Sequence, residues 1–257
     1  DCLLFFRLGD FYELFDEDAY VASKELDLTL TTRDRGENIS DEDKTPMCGV
    51  PYHSVEGYIA KLISRGFKVA ICEQMEDPAL CKGIVKRDVI RIITPGTVIE
   101  SSMLDERKSN YICSVFIGEG SGGAVAFCDM STGEMTCAEF SDNGVQAVIN
   151  ELGRFEPKEA LLSAGASSCP ELKEFLEKKI FCFNQSMPDI FFPDSAIDTF
   201  NRFYSGKIIP DVGRESVSAL CVGALIGYLE LTQKCDLSYI SEPVLLSEER
   251  FMELDWT

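Results

Sequence analysis

The apolar positions near the start of the chain predict one strand followed by one helix. Leu3–Leu8 is a short apolar run typical of a buried strand, and Gly9-Asp10 interrupts it. From position 11 to position 26 apolar residues recur at three- and four-residue intervals, which predicts a helix capped by Asp10. Glu13 would then complete a capping box with Asp10, and Phe11 would be a core aromatic. The local pattern therefore favours structural roles for both residues.

The pattern continues with one more helix and two more strands in the first hundred residues. A helix is predicted after Ser54, where apolar residues keep helical spacing until Gly66. Phe67–Cys72 and the run from Ile84 to Ile93 have the composition of strands. The acidic stretch from Arg33 to Lys44 has few apolar residues and is predicted to be a solvated loop. This part of the chain is predicted to be a mixed α/β domain.

The second part of the chain predicts three neighbouring strands and then alternating helices and strands. Tyr111–Ile117 and Ala124–Met130 flank a glycine-rich turn typical of a hairpin, and Met135–Phe140 follows as a third strand. A helix comes next, and the alternation then continues through Glu159–Leu162 (strand), Pro170–Lys179 (helix) and Ile180–Asn184 (strand). This succession suits an RNase H-like α/β sheet.

The longest predicted helix lies near the end of the chain. Glu215–Thr232 carries its apolar residues on one continuous stripe, which we expect to pack on the second sheet. The turn Thr94–Thr97 and the polar stretch after it indicate a domain boundary. We predict domains at residues 1–104 and 105–239, with residues 240–257 forming a linker and the start of a further domain.

Charge and cysteine content limit the classes of function. The 257 residues carry a net charge of −20, with 12 Lys and Arg against 19 Asp and Glu up to position 104 and 12 against 25 thereafter. Neither part is basic, so any contact with duplex DNA must come from a local patch, and we expect weak DNA binding by this chain alone. The eleven cysteines have no C-x-x-C spacing, which favours reduced, buried thiols in a reducing cytosol and no metal site. No apolar run is long enough to cross a bilayer.

Several ordered sequence blocks give a more specific indication than composition does. The blocks are Phe6-Arg-Leu-Gly-Asp-Phe-Tyr-Glu-Leu-Phe15, Thr45-Pro-Met-Cys-Gly-Val-Pro-Tyr-His53, Val69-Ala-Ile-Cys-Glu-Gln74, Arg91-Ile-Ile-Thr-Pro-Gly-Thr97, Asp129-Met-Ser-Thr-Gly-Glu134 and Met252-Glu-Leu-Asp255. Together they resemble the amino-terminal part of the MutS family of DNA mismatch-recognition proteins, over essentially the whole chain. The resemblance implies a mixed α/β mismatch-recognition domain, then an RNase H-like connector, then the start of the family's core domain.

The resemblance also implies roles for individual residues. By that resemblance Phe11 inserts beside a mispaired base and Glu13 forms a hydrogen bond to that base. A protonated Glu13 could donate this hydrogen bond, while an ionised Glu13 would be repelled by the phosphates of a paired duplex. Arg33 occupies the position of a basic residue that contacts DNA in the family. Met47 and His53 are further candidates for DNA contact, with local packing as an equal alternative for both.

The resemblance further implies what lies outside this chain. The sequence has no G-x-x-x-x-G-K-S/T motif, so we expect the ATPase of the parent protein, with its ATP and Mg²⁺, to lie elsewhere. We expect a non-enzymatic, monomeric fragment of a homodimeric parent, in which the connector contacts a MutL-like protein. A bacterial, cytoplasmic and nucleoid-associated protein is favoured by the short loops, with the eukaryotic subunit that keeps the Phe-x-Glu motif as the alternative.

Two other functions stay open at this stage. An RNase H-like sheet could hold metal ions for strand cleavage, and Asp129 at a strand end, with Glu134 nearby, is where such a site could begin. No further Asp, Glu or His completes that set, which argues against a nuclease. A protein-interaction module without DNA contact is the third class, and a buried Phe11 ring would favour it.

Overall fold

The computed structural model describes residues 2–33, 44–76, 83–99, 109–118 and 120–246. The chain forms two compact units, one of residues 1–105 with Thr232–Lys234 and one of residues 106–231 with 235–257. The predicted acidic loop falls mostly at residues 34–43, outside the described residues. Among the helices of the described ranges, none is both long enough and apolar enough to span a membrane.

In its described residues, the first unit has a six-stranded mixed sheet and two α-helices. Its strands lie side by side in the order β3-β4-β2-β1-β5-β6, and only β1 and β5 run parallel. The elements are β1 (Leu3–Leu8), β2 (Phe11–Phe15), α1 (Asp16–Leu26), β3 (Thr31–Thr32), β4 (Pro46–Pro51), α2 (Val55–Ser64), β5 (Val69–Gln74) and β6 (Arg87–Ile93).

The prediction of a helix from Asp10 was wrong, because Phe11–Phe15 is a strand and the helix begins at Asp16. The strand β2 pairs with β1 on one edge and with β4 on the other, so tertiary pairing overrides the helical spacing of its apolar residues. Asp10 and Glu13 therefore form no capping box. The helical part of the pattern was right from Ala19 onward, where the predicted core residues of α1 are buried.

Both helices of the first unit pack on one face of its sheet. The strand residues on that face are buried with the apolar residues of the helices; the cluster includes Leu3, Phe5, Tyr12, Leu14, Ala22, Leu26, Val50, Leu62 and Ile71. The second helix ends at Ser64, and Gly66, which was predicted to stop it, follows with a φ of +83°. The backbone N–H groups of Gly66 and Phe67 donate to the carbonyls of Ile63 and Leu62, as in a Schellman cap.

The second unit has a mixed sheet in the order β11-β10-β7-β8-β9-β12. The predicted three-strand start is confirmed, since β7, β8 and β9 pair consecutively and antiparallel. The strands are β7 (Tyr111–Ile117), β8 (Gly123–Asp129), β9 (Glu134–Phe140), β10 (Glu159–Leu162), β11 (Phe183–Ser186) and β12 (Val244–Leu245). The predicted linker after residue 239 thus contributes β12, which pairs in parallel with β9.

Helices cover both faces of this second sheet. One face packs against α3 (Gly144–Phe155), α4 (Ala164–Ser167) and α5 (Pro170–Glu174), and the other against α6 (Pro193–Phe203) and α7 (Val217–Gln233). A π-helical turn, Phe175–Lys179, continues α5. Every residue of β8 is consequently buried. The sequence pattern did not predict α6.

The long helix α7 is buried nearly all round, so the single apolar stripe predicted for it was incomplete. Ala219, Val222 and Ile226, outside that stripe, are also buried, because α6 packs on a second side of the helix. Gly223 permits that close packing: a Cβ atom there would lie 1.9 Å from the backbone oxygen of Ala196. This contact fixes how closely α6 and α7 approach.

The cysteines of the described residues are free thiols, and most of them are buried. Burial raises the pKa of Cys128, Cys137 and Cys182 to about 12, so these thiols stay protonated and unreactive at neutral pH. They pack as small apolar groups, in agreement with the sequence interpretation.

We expect Gly223→Ala to destabilise the second unit by roughly 2 kcal/mol or more, because the helices must separate to admit the methyl group. Gly227→Ala, four residues further along α7, is the matched control, since a Cβ atom there meets no atom within 4 Å. That variant should be neutral or more stable by up to about 1 kcal/mol, the difference in helix propensity. Urea denaturation followed by circular dichroism measures both, and equal effects would contradict the packing described.

Candidate nucleic-acid interface

The sheet face of the first unit opposite its helices carries a set of aromatic and charged residues, and we call it the open face. Within the described residues of this unit, both helices pack on the other side of the sheet. The strand register aligns the open-face residues in three rows: Leu8, Phe11 and Pro51; then Cys72, Phe6, Glu13 and Gly49; then Phe15, Met47 and Thr31. The rows bring residues from five strands together on one surface.

Phe11 is the first residue of β2 and follows the turn at Gly9-Asp10 directly. Its side chain is 47% exposed, whereas its neighbour Tyr12 is 6% exposed. Gly9 has a φ of +60°, a conformation that glycine adopts without strain, and this allows the tight reversal into β2. The expectation of a buried Phe11 was therefore wrong, and the ring is available for contact at the end of a hairpin.

Glu13 lies in the middle row of the open face, between Phe6 and Gly49. A Cβ atom on residue 49 would lie 3.2 Å from the backbone oxygen of Tyr12 and 3.5 Å from Cγ of Glu13. The glycine therefore leaves space beside the Glu13 side chain. In the described part of the chain Glu13 has neither an ion pair nor a side-chain hydrogen bond, so its carboxylate is not committed to the fold.

Two arginines lie over aromatic rings of the open face. The Arg33 guanidinium carbon is 5.6 Å from the centroid of Phe15, and that of Arg87 is 5.2 Å from the centroid of Phe6. The two rings meet edge to face with centroids 6.5 Å apart. Cation–π contacts of this kind help to fix where a guanidinium group lies. Arg33 is exposed, while Arg87 is partly buried and donates from Nε and Nη1 to the carbonyls of Arg7 and Val85. Both arginines are local positive charges in an acidic chain.

The remaining candidates from the sequence lie in two different places. Met47 is on the open face, where it pairs with Phe15. His53 is exposed on the 3₁₀ turn Tyr52–Ser54 that follows β4, with its ring edge-on to Tyr52. The backbone N–H of Tyr52 donates to the carbonyl of Asp10 at 3.0 Å, so this turn adjoins the hairpin end that carries Phe11. The fold thus gathers Phe11, Glu13, Arg33 and Met47 on one face, with His53 at its border.

A polar network on the helix side of the sheet was not found by sequence reasoning. The Tyr12 hydroxyl donates to the carboxylate of Glu73 on β5, and Arg7 on β1 lies 3.6 Å from the same carboxylate. The Arg7 guanidinium also lies 3.8 Å from the ring centroid of Tyr52. Only strand pairing brings these residues together, because they are up to 66 positions apart in sequence. Successive residues of a strand point to opposite faces, so Phe5 and Arg7 share one face of β1 and Phe6 and Leu8 the other. This alternation is the sequence signal that could have placed Arg7 on the helix side of the sheet.

Asp129, the candidate metal ligand in the second unit, is used within its own turn. It is 3% exposed, and its Oδ1 accepts hydrogen bonds from the backbone N–H of Ser131 at 2.9 Å and from the Ser131 hydroxyl at 2.6 Å. Glu134 is its paired residue at the start of β9. Across the described ranges, no group of three or more His, Cys, Asp or Glu side chains could hold a metal ion. Asp129 therefore stabilises the β8–β9 turn.

We expect Phe11→Ala to change the free energy of unfolding of the first unit by less than about 1 kcal/mol, because the ring is half exposed. Phe5→Ala, a matched change on the neighbouring strand, should cost about 3–5 kcal/mol because that ring is fully buried. Urea denaturation of both variants makes the comparison. A large loss of stability in Phe11→Ala would mean that the ring belongs to the core.

Comparisons with known proteins agree with this arrangement of domains. The family model described as MutS domain I matches residues 1–102, and the one described as MutS domain II matches residues 110–241. Proteins named DNA mismatch repair protein MutS are similar to the chain: 44% identity over 260 residues in Acetivibrio thermocellus, 45% over 255 in Caldicellulosiruptor bescii, and 44% over 259 in Staphylococcus saprophyticus.

These alignments include 99%, 99% and 100% of this chain, but only 29%, 28% and 26% of the respective relatives. The chain thus spans less than a third of the length of the relatives that it matches. The match begins at the first residue and covers both units in order. The chain belongs to the MutS family, of which it contains domains I and II.

Proposed function

We propose that this chain is the mismatch-reading part of a longer DNA mismatch repair protein. In this proposal Phe11 inserts beside a mispaired or unpaired base of duplex DNA and Glu13 forms a hydrogen bond to that base. The observation that carries the proposal is the 47% exposure of Phe11 on a surface that it shares with Glu13. The names of the similar proteins agree with it.

The geometry suits a wedge because the ring stands at the end of a rigidly paired hairpin. Leu8 and Phe11 are the last cross-strand pair before the turn, so the ring is the part of β2 that a ligand can reach first. A mispaired base has already lost part of its pairing and stacking energy. Unstacking the duplex and kinking it therefore costs less at a mismatch than at a paired step.

The carboxylate of Glu13, which has no partner among the described residues, is the second feature that would distinguish mismatched from paired duplex. Since no cation in the described residues neutralises it, the phosphates of a bound duplex repel this side chain. A hydrogen bond between Glu13 and a polar group of a base that a mismatch leaves unpaired offsets that repulsion. In a fully paired duplex that group is occupied, so the repulsion weakens binding to the wrong substrate.

The negative charge of the chain indicates that this surface contributes more to the choice between mismatched and paired duplex than to overall affinity for DNA. The first 104 residues carry 12 Lys and Arg against 19 Asp and Glu. Among the described residues, Arg33 and Arg87 hold their charge over aromatic rings of the open face. Affinity for the DNA backbone depends on the number of phosphates that cations neutralise. We propose that most of the affinity comes from parts of the longer protein outside this chain.

The same proposal covers the partners and the chemistry of the whole protein. The second unit, as the connector, would relay DNA binding to the core and to an ATPase, and would contact a MutL-like protein. ATP and Mg²⁺ would act in that ATPase, for which this sequence has no phosphate-binding loop, so no chemical step is assigned to this chain. The longer protein would be a homodimer in the bacterial cytoplasm, associated with the nucleoid, while this chain alone would be a monomer.

In the full-length protein, we expect Phe11→Ala to remove the preference for mismatched over fully paired duplex. Stacking of one aromatic ring on a base contributes about 1–3 kcal/mol, which corresponds to a loss of roughly 5- to 150-fold in mismatch affinity. Affinity for the paired duplex should change little, because the ring is not inserted there. Fluorescence anisotropy with labelled mismatched and paired duplexes measures both constants.

Phe192→Ala is the matched control, since this phenylalanine is 60% exposed in the second unit. It should leave both affinities unchanged. Discrimination that survives Phe11→Ala would refute the wedge assignment and favour a surface that contacts another protein.

We expect Glu13→Gln to bind the paired duplex several-fold more tightly while its mismatch affinity stays within about twofold. The amide keeps the capacity to donate a hydrogen bond but carries no charge for the phosphates to repel. Glu17→Gln removes the same charge from the exposed first turn of α1 and serves as the control. An equal gain in both variants, measured in the same anisotropy experiment, would assign the effect to net charge and exclude a specific role for Glu13.

A further inference from the structure

Tyr12, between the two residues of the proposed wedge, points to the opposite side of the sheet. Its ring is buried in the core of the first unit, with its centroid 6.2 Å from that of Phe5. Packing alone needs only a phenyl ring at this position. The hydroxyl group is therefore the part of the side chain that needs an explanation, because a buried hydroxyl without a partner is unfavourable.

The partner of that hydroxyl lies two strands away. Tyr12 on β2 donates to the carboxylate of Glu73 on β5, and this hydrogen bond crosses β1, the strand between them. Arg7 belongs to this middle strand, and its Nη1 lies 3.6 Å from the same Glu73 oxygen. One carboxylate thus joins three neighbouring strands at the end of the hairpin.

The network extends to the turn from which Phe11 emerges. The Nε–H of Arg7 donates to the carbonyl of Gly9, the first residue of the turn. The Arg7 carbonyl accepts a hydrogen bond of 2.9 Å from Nε of Arg87 on β6. The turn is therefore connected through side chains to β5 and β6, besides its own backbone pairing.

Tyr12 remains a hydrogen-bond donor over the whole range in which DNA binding is measured. Burial and the neighbouring Glu73 raise the pKa of Tyr12 to about 12, although the Arg7 guanidinium acts in the opposite direction. Deprotonation would place a phenolate against a carboxylate. The hydroxyl accordingly keeps its proton, and the anchor persists at neutral pH.

We propose that Tyr12 is a positioning residue, whose hydrogen bond to Glu73 holds the hairpin end in place when Phe11 is pushed against stacked bases. This inference rests on the proposed function, because it concerns the support of the wedge. Inserting a ring between bases exerts an equal force on the hairpin, and hairpin ends open and bend more easily than the middle of a sheet. A bond to β5, in the interior of the sheet, resists that displacement.

The test compares Tyr12→Phe with the unmodified full-length protein. The variant keeps the buried ring but loses a hydrogen bond to a charged group, so a modest fall in melting temperature is expected from the fold alone. Its affinity for a mismatched duplex should fall about tenfold, the factor that corresponds to a hydrogen bond to a charged acceptor. Its affinity for a paired duplex should stay within about twofold, since no ring is inserted there. Tyr20→Phe, which removes an exposed hydroxyl from α1, should change neither affinity.

A fluorescent base analogue, 2-aminopurine, placed beside the mismatch reports insertion directly. At saturating protein its fluorescence should rise with the unmodified protein and rise less with Tyr12→Phe, because the ring is inserted less completely. Glu73→Leu removes the acceptor and should resemble Tyr12→Phe or exceed it, because it also removes the contact with Arg7. The double variant should lose no more than Glu73→Leu alone, since Tyr12→Phe then breaks a contact that is already absent.

Several outcomes would overturn the inference. Unchanged mismatch affinity and fluorescence in Tyr12→Phe would mean that the hydroxyl has no part in insertion. Equal losses of affinity for mismatched and paired duplex would assign the Tyr12 hydroxyl a structural role only. Phe11→Ala, measured in parallel, distinguishes a failure of this inference from a failure of the proposed function. If Phe11→Ala keeps the preference for mismatched duplex, the wedge role of Phe11 is refuted. If Phe11→Ala loses that preference and Tyr12→Phe keeps it in full, the wedge role stands and only the role of the Tyr12–Glu73 hydrogen bond is refuted.

Discussion

The pairing of β2 on both of its edges is the constraint on which the candidate interface depends. With β1 on one side and β4 on the other, the strand must present alternate residues to opposite faces of the sheet. Tyr12 and Leu14 enter the core, so Phe11 and Glu13 must face away from it. A slip of one residue would reverse this assignment and place a carboxylate in the core. The stability of the fold and the exposure of the wedge thus have one cause.

The two units use their sheets differently. In the second unit helices lie on both faces, and every residue of β8 is buried. In the first unit both described helices pack on one face, which leaves aromatic residues of the other face at the surface. Leaving apolar surface uncovered reduces the gain from burial, so such a face indicates a binding surface. In the described residues, the sheet of the first unit therefore has helices on one face, and the sheet of the second unit has helices on both.

The open face carries charges of both signs, and under the proposed function they would have different effects on DNA binding. Arg33 and Arg87 are held over aromatic rings of the open face, while Glu13 lies between them without a counter-ion in the described residues. A surface built only for affinity would replace that carboxylate with a cation. Under the proposed function, this carboxylate disfavours duplex DNA wherever no base forms a hydrogen bond with it. The partly buried network of Tyr12, Glu73 and Arg7 lies on the opposite side of the same sheet.

The sequence by itself determined the family, the α/β class and most elements of the second unit. Strands such as Tyr111–Ile117 and Glu159–Leu162 are short, mostly apolar runs between polar or turn-forming residues, so their bounds were right. The same reasoning failed at Phe11–Phe15, because five residues with apolar side chains at several spacings fit a helix and a strand equally well. Only pairing with β1 and β4 decided between them, and that pairing joins segments distant in sequence. The sequence could therefore name Phe11 and Glu13, but the tertiary structure alone decided that they share an exposed face and that Tyr12 is anchored behind them.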